Sequence, residues 1–331
     1  ETGVKDWDIS RDAPYFGFEI PDNPGKFFYV WLDAPVGYLA SFKNLCESEK
    51  IDFESYLRPE SDAELYHFIG KDIMYFHTLF WPAMLKGAGY RLPTNVFVHG
   101  FLTIDGKKMS KSRGSFIKAE TYLSFLSPDY LRYYFSAKLS SGIEDIDLNW
   151  DDFEARVNSD LVGKFVNIGS RCAGFITKRF DSKLADEIAN TELMRSFSSA
   201  SADIAGFYEE REYGRAIREI MGLADQANRY IDNEKPWVLA KQEGADRHLH
   251  LVVTMGILLF RMLAIYLKPV IPELILEIEK FLGEPSLFWS DIHAVPLGNT
   301  INKFIPLIER VESGKIVKMI DEVKRDVDKE K

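Results

Sequence analysis

The stretch Lys108 to Ser112, with the sequence Lys-Met-Ser-Lys-Ser, concentrates side chains that could bind phosphate. It lies between Gly106 and Gly114, directly after the apolar run Val96 to Ile104. Glycines let the backbone turn and approach an anion closely, the ammonium groups neutralise its charge, and the hydroxyl and N–H groups donate to its oxygens. A basic loop is also commonly solvated surface, so composition alone leaves both interpretations open.

A carboxylate and three rings lie at helical spacing further upstream. On a helix of about 100° per residue, Asp72, Ile73, Phe76, His77 and Phe80 fall within an arc of roughly 140°. They could line one cavity with an anionic group in it, which suits a substrate that carries an ammonium group and an apolar side chain. A stripe of aromatics is equally typical of core packing.

Helical periodicities dominate the chain from Phe153 onward and predict a bundle. In the first helix Asn167 and Arg171 lie one turn apart, where they can reach outward, on the flank of a predicted buried stripe of Val157, Leu161, Phe165, Ile168 and Cys172. An amide and a guanidinium suit nucleobase edges, and an accessible Trp237 suits stacking on an unstacked base, worth about 1–3 kcal/mol. Trp237 could instead be an anchor of the bundle.

Lys-Met-Ser-Lys-Ser resembles the signature loop of class I aminoacyl-tRNA synthetases, and other segments resemble the bacterial-type methionyl-tRNA synthetase family. Those segments are Asp6-Trp7-Asp8-Ile9-Ser10-Arg11-Asp12, Tyr29 to Tyr38, His67 to Asp72, Leu131-Arg132-Tyr133-Tyr134, Asp145-Ile146-Asp147-Leu148, Asn228-Arg229-Tyr230 and Pro236-Trp237. Their order along nearly the whole chain argues against an accidental match.

This resemblance implies ATP-dependent activation of methionine to methionyl-adenylate and transfer of the methionine to tRNA(Met). Lys108 and Lys111 would be catalytic, with Lys111 at the transition state. The implied ATP-binding residues are His99, Gly100, Lys108, Met109, Ser110, Lys111 and Ser112. Mg²⁺ would come with ATP, held mainly by phosphates and water, so no metal-binding side chains are assigned. The zinc knuckle of the family is not expected in this portion.

The methionine-binding residues that the resemblance implies are Arg11, Trp31, Ala34, Pro35, Tyr38, Asp72, Phe76, His77 and Phe80. Asp72 would need a cationic partner if it is buried, and the resemblance points to the substrate ammonium and to Arg11. Tyr38 and His77 could donate hydrogen bonds to the methionine sulfur. Asn167, Arg171 and Trp237 match the residues of the family that contact the CAU anticodon.

One family motif, His-Ile-Gly-His, does not occur, because Lys71 follows His67-Phe68-Ile69-Gly70. We therefore expect a C-terminal portion of the enzyme that lacks the half of the catalytic fold carrying this motif, and that is inactive in adenylation when isolated. Two alternatives stay open: another class I synthetase, for leucine, isoleucine, valine or cysteine, and a non-catalytic tRNA-binding module. The second alternative gives no reason for Lys108 to Ser112.

Composition is that of a globular chain with two or three domains, since 46% of its 331 residues are hydrophobic. The net charge of −10 is opposite to that expected of a nucleic-acid binder, so positive charge would be confined to local clusters. Cys46 and Cys172 support neither a disulfide framework nor a zinc site. No apolar run reaches the roughly 18 residues of a spanning helix and no signal peptide is evident, which predicts a cytoplasmic protein without membrane contact.

Alternating short apolar and longer amphipathic runs between Lys26 and about Ile104 predict an α/β fold, a partial Rossmann-like nucleotide-binding fold, followed by an all-α anticodon-binding bundle. The predicted domains are the C-terminal half of the catalytic fold (1–103), a connecting domain with the Lys-Met-Ser-Lys-Ser loop (104–152), the bundle (153–300) and a C-terminal helix that returns over the body (301–331). Its amphipathic pattern runs from Ile305 to Val327. Gly256, within an apolar run, predicts close helix packing.

Overall fold

The computed structural model describes residues 6–108 and 117–329 of the chain. The chain divides into two compact units, with the boundary between Gly100 and Phe101. The first unit combines strands and helices, and the second is mainly helical with a small sheet at its beginning. The predicted order, an α/β fold followed by helices, is confirmed.

The described strands of the first unit pair in two separate sheets. β1 (Ser10–Asp12) and β2 (Lys26–Phe28) form an antiparallel hairpin. β3 (Tyr66–Gly70) and β4 (Asn95–His99) are parallel, and their register sets Gly70 opposite His99. Both strands therefore end at the same edge of their sheet, which is where ligands bind in parallel α/β folds.

Two helices of the first unit precede β3, and further helical turns form the crossover from β3 to β4 that parallel strands require. α1 (Val36–Glu49) is followed by α2 (Phe53–Leu57), whose first turn is capped by the Asp52 carboxylate accepting from the Glu54 N–H. The crossover itself is irregular. It comprises a 3₁₀ turn at Lys71–Ile73, a π-helical turn at Phe76–Phe80 and α3 (Trp81–Gly87).

The second unit begins with a small sheet in the order β6-β5-β7. β5 (Leu102–Ile104) is antiparallel to β6 (Lys107–Lys108) and parallel to β7 (Ile146–Leu148). Asp105 and Gly106 join β5 to β6 with φ angles of +48° and +71°, as a tight two-residue hairpin turn requires. Between β6 and β7 lie α4 (Ala119–Leu123) and α5 (Pro128–Ser136).

A long continuous helix leads from this sheet into the bundle. It consists of α6 (Trp150–Arg156), a π-helical stretch at Val157–Val166 and α7 (Asn167–Arg179). All five residues of the predicted stripe, from Val157 to Cys172, are fully buried, which confirms that prediction. The remaining helices are α8 (Thr191–Ser199), α9 (Ser201–Glu209), α10 (Tyr213–Glu234), α11 (Pro236–Leu239), α12 (Asp246–Leu267), α13 (Pro272–Leu282) and α14 (Ser313–Lys329), with a 3₁₀ turn at Trp289–His293.

Helix α12 is the most buried helix described and packs closely on α7. A Cβ added to Gly256 would lie 2.3 Å from the Cys172 Sγ, and one added to Gly169 would lie 2.9 Å from the Phe260 ring. The predicted close packing at Gly256 is thus confirmed. By length and composition alone α12 could cross a membrane, contrary to the expectation that no run is long enough, yet 89% of its most apolar window is buried inside the unit.

The predicted helix from Ile305 to Val327 is wrong in its first part, because α14 begins only at Ser313. Pro306 has no N–H to donate and disfavours helical geometry at the residue before it. Side chains of other segments also hold this backbone. Asn158 bonds both the N–H and the carbonyl oxygen of Val311, and the Tyr130 hydroxyl donates to the Glu309 carbonyl oxygen.

Candidate functional site

Aromatic side chains predicted to line one pocket form a cluster in the first unit. The Trp31 and Phe76 rings are stacked, with centroids 4.1 Å apart and planes 3° from parallel, and Trp31 meets His77 edge-on at 5.5 Å. Trp7 packs against Phe76 and Phe80 at 5.4 and 5.0 Å. The π-helical turn at Phe76–Phe80 widens the helix where three of these rings project, a feature often found at functional sites.

The buried His77 has a partner at each ring nitrogen. Nδ1 lies 3.0 Å from the Ile73 carbonyl oxygen, and Nε2 lies 3.0 Å from the Tyr38 hydroxyl. Because a carbonyl oxygen can only accept, Nδ1 carries the proton and Nε2 accepts from Tyr38. Neither side chain then has a proton left for a thioether, so the expected donation to a methionine sulfur is not available in this arrangement. Tyr38 and Ala34 are exposed, whereas Pro35 is buried.

A second buried histidine, which is not among the predicted site residues, lies beside the first. His67 accepts a hydrogen bond at Nε2 from the Trp81 indole N–H over 3.2 Å, and its ring centroid is 5.4 Å from that of His77. Burial lowers the pKa of His67, and the neighbouring His77 lowers it further. Because Nε2 accepts the indole N–H, this nitrogen carries no proton in the arrangement described. A lone histidine on a strand gives no sequence signal for such a contact.

The predicted acid and its predicted cationic partner are not paired. Asp72 is exposed, and no ion pair joins it to Arg11 in the described part of the chain. The Arg11 guanidinium instead lies 3.9 Å from the centroid of the Tyr29 ring and donates to the carbonyl oxygens of Asp8 and Ser10. An exposed carboxylate is solvated and needs no partner, which removes the physical reason for the expected pair.

Asp72 lies at the carboxyl edge of the parallel strands. β3 ends at Gly70, two residues before it, and β4 ends at His99, opposite Gly70. His99 is exposed, Gly100 is buried, and the His99 Nδ1 lies 2.9 Å from the Gly100 carbonyl oxygen. The 100° spacing that placed Asp72 on one face with the aromatic rings is wrong, because the crossover passes through a 3₁₀ and a π-helical turn.

The chain enters the Lys-Met-Ser-Lys-Ser motif from the hairpin of the second unit. The Asp147 carboxylate on β7 accepts hydrogen bonds from the Thr103 hydroxyl and the Gly106 N–H, both at 2.7 Å. These bonds lower the pKa of Asp147. The Asn149 amide donates to the Asp105 carboxylate at the same turn. Side chains from β7 and the residue after it therefore fix the hairpin turn.

Of the predicted phosphate-binding residues in this motif, the described part of the chain includes the backbone of Lys108, the last residue of β6. Met109, Ser110, Lys111 and Ser112 lie outside the described residues. Within residues 6–108 and 117–329, no group of three or more His, Cys, Asp or Glu side chains is placed to hold a metal ion.

Helix α5 contacts the same region through Tyr134, and Lys138, two residues after the helix ends, does so as well. The Tyr134 hydroxyl donates to the Asp152 carboxylate at 3.0 Å and accepts from the Asn149 N–H at 3.2 Å. The Lys138 ammonium donates to the Tyr134 hydroxyl and to the Asp147 carbonyl oxygen, and pairs with Asp152 at 2.8 Å. Burial raises the pKa of Tyr134, so its hydroxyl stays protonated and can donate.

Helix α5 also contacts the corner between α12 and α13. The Asp129 carboxylate accepts from the Leu274 N–H at 2.7 Å, and Arg132 donates to the carbonyl oxygens of Val270 and Pro269. Asp129 is 2% exposed, and its Oδ1 has no hydrogen-bond partner among the described residues. Burial raises the pKa of Asp129. Two of the segments that resembled the family thus connect the small sheet of the second unit to the bundle. They are Leu131 to Tyr134 and Asp145 to Leu148.

Arg171 and Trp237, predicted separately, are in contact. The Arg171 guanidinium lies 4.9 Å from the centroid of the Trp237 ring, pairs with Asp232 at 2.5 Å and lies 3.5 Å from the Asn228 amide oxygen. Trp237 is 40% exposed, so part of its ring surface remains open. Asn167 is half-buried at the start of α7, one turn before Arg171. Asn228 belongs to one of the segments that resembled the family, whereas nothing in the sequence pointed to Asp232.

Two family models match the chain. Residues 1–173 match the model described as tRNA synthetases class I (M), and residues 184–304 match the anticodon binding domain of methionyl tRNA ligase.

Solved structures of Mycobacterium tuberculosis methionyl-tRNA synthetase are similar to the chain. The complex with methionyl-adenylate has a TM-score of 0.79 at 27% identity, over 93% of this chain and 61% of that one. A second structure with methionyl-adenylate bound gives 0.78 at 27% identity, with the same coverage. The apo form, at 24% identity and a TM-score of 0.74, shares the fold over 92% of this chain and 60% of that one. The chain therefore spans about three fifths of the length of these structures.

Proposed function

The chain belongs to the class I tRNA synthetases of the methionyl type, and from that premise we propose that it serves the ATP-dependent activation of methionine and its transfer to tRNA(Met). The observation that carries the proposal is the contact between Arg171 and the partly exposed Trp237, in a helical unit whose family model is an anticodon-binding domain. The methionyl description of the anticodon-domain model, together with the letter M in the description of the other model, disfavours the leucine, isoleucine, valine and cysteine alternatives. In keeping with the family, we propose a cytoplasmic location.

The arrangement around Arg171 suits a nucleobase edge better than a phosphate. Asp232 lies against the guanidinium, and its negative charge would repel a phosphate brought to the same place. The ion pair also orients the guanidinium, which has five N–H donors and uses two of them on Asp232 and Asn228. The remaining donors can bond the edge of a base that stacks on the open surface of Trp237.

The first unit supplies groups suited to the amino acid. The aromatic cluster around Trp31 and Phe76 offers an apolar wall for a thioether, and soft sulfur makes favourable contacts with aromatic rings. The exposed Asp72 carboxylate is available to a substrate ammonium group. Tyr38 would contribute shape and an oxygen lone pair, because its proton is donated to His77. We propose that Arg11, Ala34, Pro35 and Phe80 complete the methionine site.

We propose that the phosphate chemistry belongs to the Lys-Met-Ser-Lys-Ser motif. In adenylation the methionine carboxylate attacks the α-phosphorus of ATP, the adenylyl group is transferred to it, and pyrophosphate leaves. The step therefore requires positioning and charge neutralisation rather than a protein nucleophile. Lys108 and Lys111 would neutralise the triphosphate of Mg²⁺-bound ATP, with Ser110, Ser112 and Met109 shaping the loop and His99 and Gly100 near the adenosine. A transition-state contact of this kind is worth about 3–4 kcal/mol, or two to three decades of rate.

The 331-residue chain has no His-Ile-Gly-His motif. We therefore expect no methionine-dependent pyrophosphate exchange from this chain alone. Measurable exchange by the chain, with its mass verified, would contradict this part of the proposal and leave the RNA-binding part untouched.

RNA binding can be tested with a synthetic anticodon stem-loop that carries CAU. Trp237→Ala should weaken binding by about 1–3 kcal/mol, roughly 5- to 150-fold, because the stacking surface is lost. Arg247→Ala is the control, since Arg247 is an exposed bundle arginine whose guanidinium is paired with Glu187. Equal affinity for a stem-loop with a changed anticodon, or equal affinity of Trp237→Ala and Arg247→Ala, would contradict the proposal.

A further inference from the structure

A cavity of about 400 Å³, here called the apolar cavity, lies in the second unit between the small sheet and the helices α4 and α5. Its lining comes mainly from β5, β7, α4 and α5 and consists of apolar side chains and aromatic rings, apart from Arg132. The Tyr122 hydroxyl in this lining already donates to the Ser127 carbonyl oxygen at 3.0 Å. The volume lies in the range of roughly 300–1,000 Å³ that small-molecule sites occupy. The wall therefore suits the apolar body of a small molecule.

Arg132 is the one charged side chain among the described residues that line the apolar cavity. It is exposed, so it lies where the cavity opens to solvent. Its Nε donates to the Val270 carbonyl oxygen over 2.8 Å and its Nη2 to the Pro269 carbonyl oxygen over 3.3 Å, which holds the guanidinium in one orientation. Nη1 and the second proton of Nη2 have no partner among the described residues. These N–H groups form the end of the guanidinium that can bind a carboxylate through two parallel hydrogen bonds.

No acid competes for this end of the Arg132 guanidinium. Among the described residues that line the apolar cavity there is no Asp or Glu, and no described carboxylate forms an ion pair with Arg132. Asp129 interacts with Arg132 electrostatically, but it accepts from the Leu274 N–H and is not part of the lining. In a chain of net charge −10, an arginine left without an ion-pair partner at a cavity favours an anionic ligand.

Trp150 supplies a second donor without a partner. It is the first residue of α6, lines the apolar cavity and is 8% exposed. Its indole N–H has no hydrogen-bond partner among the described residues. A buried indole N–H usually has such a partner, and a molecule in the apolar cavity could provide one.

We propose that the apolar cavity binds a small organic carboxylate whose body is one or two rings. The rings lie against the apolar wall, and the carboxylate accepts from the free end of the Arg132 guanidinium. The Trp150 N–H donates to the same molecule. The inference does not depend on the proposed function, because neither residue belongs to the proposed methionine, ATP or anticodon sites.

The first experiment tests the class of ligand by calorimetric titration of the 331-residue chain with 2-naphthoate and with 2-naphthamide, a neutral molecule of similar shape. The carboxylate should bind roughly 5- to 30-fold more tightly than the amide, because only the carboxylate forms charge-assisted hydrogen bonds with the guanidinium. Equal affinities, or no binding of either molecule, would overturn the inference.

Two arginine variants assign this preference to a residue. Arg132→Gln should remove the preference for the carboxylate and leave the affinity for 2-naphthamide within about 2-fold of that of the unaltered chain. Arg195→Gln changes the net charge equally at an exposed position on α8 and should keep the preference. A preference that survives in Arg132→Gln would contradict the assigned role.

The second experiment locates the bound molecule by fluorine NMR of the chain labelled with 5-fluorotryptophan. The six tryptophans give separate probes, and Trp150→Phe identifies the resonance of Trp150. Titration with 2-naphthoate should shift that resonance. If only resonances of other tryptophans shift, the molecule binds elsewhere and the inference is overturned.

A cavity-filling variant completes the test. Ala119→Phe introduces a ring from the exposed first residue of α4 without removing a contact, so it should abolish the shift of the Trp150 resonance. Ala202→Phe makes the same change at an exposed residue near the start of α9, outside the lining, and should leave the shift unchanged. A shift that persists in Ala119→Phe would show that the apolar cavity is not the binding site.

Discussion

Asp129 offers a test in which two substitutions of one residue should have opposite effects. The side chain is buried, with Oδ2 accepting from the Leu274 N–H at the start of α13 and Oδ1 without a partner among the described residues. Asp129→Ala leaves that N–H buried and unsatisfied, which should destabilise the second unit by about 1–3 kcal/mol. Asp129→Asn keeps an acceptor oxygen and removes a poorly solvated charge, so at neutral pH it should be at least as stable as the unaltered chain.

The pH dependence of this difference has a defined sign. Burial raises the pKa of Asp129 in the folded state above its value in the unfolded chain. Between the two pKa values the folded state binds more protons, so the stability of the unaltered chain rises as pH falls through this window. The advantage of Asp129→Asn should be largest at neutral pH and should shrink as pH is lowered toward about 4, the unfolded value.

Urea unfolding followed by helical circular dichroism, at several pH values between 4 and 8, measures both effects. Hydrogen exchange of the Leu274 amide localises them, because Asp129→Ala should expose this amide and Asp129→Asn should not. A variant Asp129→Asn that is as unstable at pH 7 as Asp129→Ala would refute the reasoning. So would a stability difference between Asp129→Asn and the unaltered chain that does not change with pH.

Three further changes test other contacts. Asp147→Ala removes the acceptor for the Gly106 N–H and should speed hydrogen exchange of that amide roughly 10-fold. Asp151→Ala, which replaces an exposed acid on α6, should leave that exchange rate unchanged. Equal rates in the two variants would contradict the assigned bond. Gly256→Ala should lower the free energy of unfolding in urea by about 1–3 kcal/mol, because the added Cβ would overlap Cys172. Gly222→Ala should not lower it, because a Cβ added there would have no atom within 4 Å. Similar values for the two variants would refute the close contact. Because folding lowers the pKa of His67, the first unit should lose stability as pH falls below about 6.5, the unfolded value. His67→Gln should weaken that pH dependence in unfolding followed by tryptophan fluorescence. Parallel pH profiles of the variant and the unaltered chain would count against the prediction.

Periodicity predicted the helical unit well because burial on one side of a helix imposes a repeat that the sequence must carry. The stripe from Val157 to Cys172 is buried as predicted, although part of it lies in a π-helical stretch. Helix α13 runs from Pro272 to Leu282, since a proline begins it and Gly283, with a positive φ of +70°, ends it. These signals are local and depend on few neighbours.

Contacts between distant residues could not be read in this way. The bond between Tyr38 and His77 joins residues 39 positions apart, and that between Asp129 and Leu274 joins residues 145 positions apart. The expected pair of Asp72 with Arg11 required the Asp72 carboxylate to be buried, and the fold leaves it exposed. The helix expected from Ile305 was inferred from an amphipathic pattern, and an extended segment that lies across a helix surface can show the same pattern.

The uninterrupted helix from Trp150 to Arg179 has a consequence for how related chains can differ in length. It is roughly 40 Å long, and each residue advances the direction of a side chain by about 100° in its α-helical parts. Loss of a single residue within it would turn Asn167 and Arg171 away from their present neighbours while β7 stayed in place. Insertions and deletions among relatives should therefore avoid this helix and collect in the connections on either side of it.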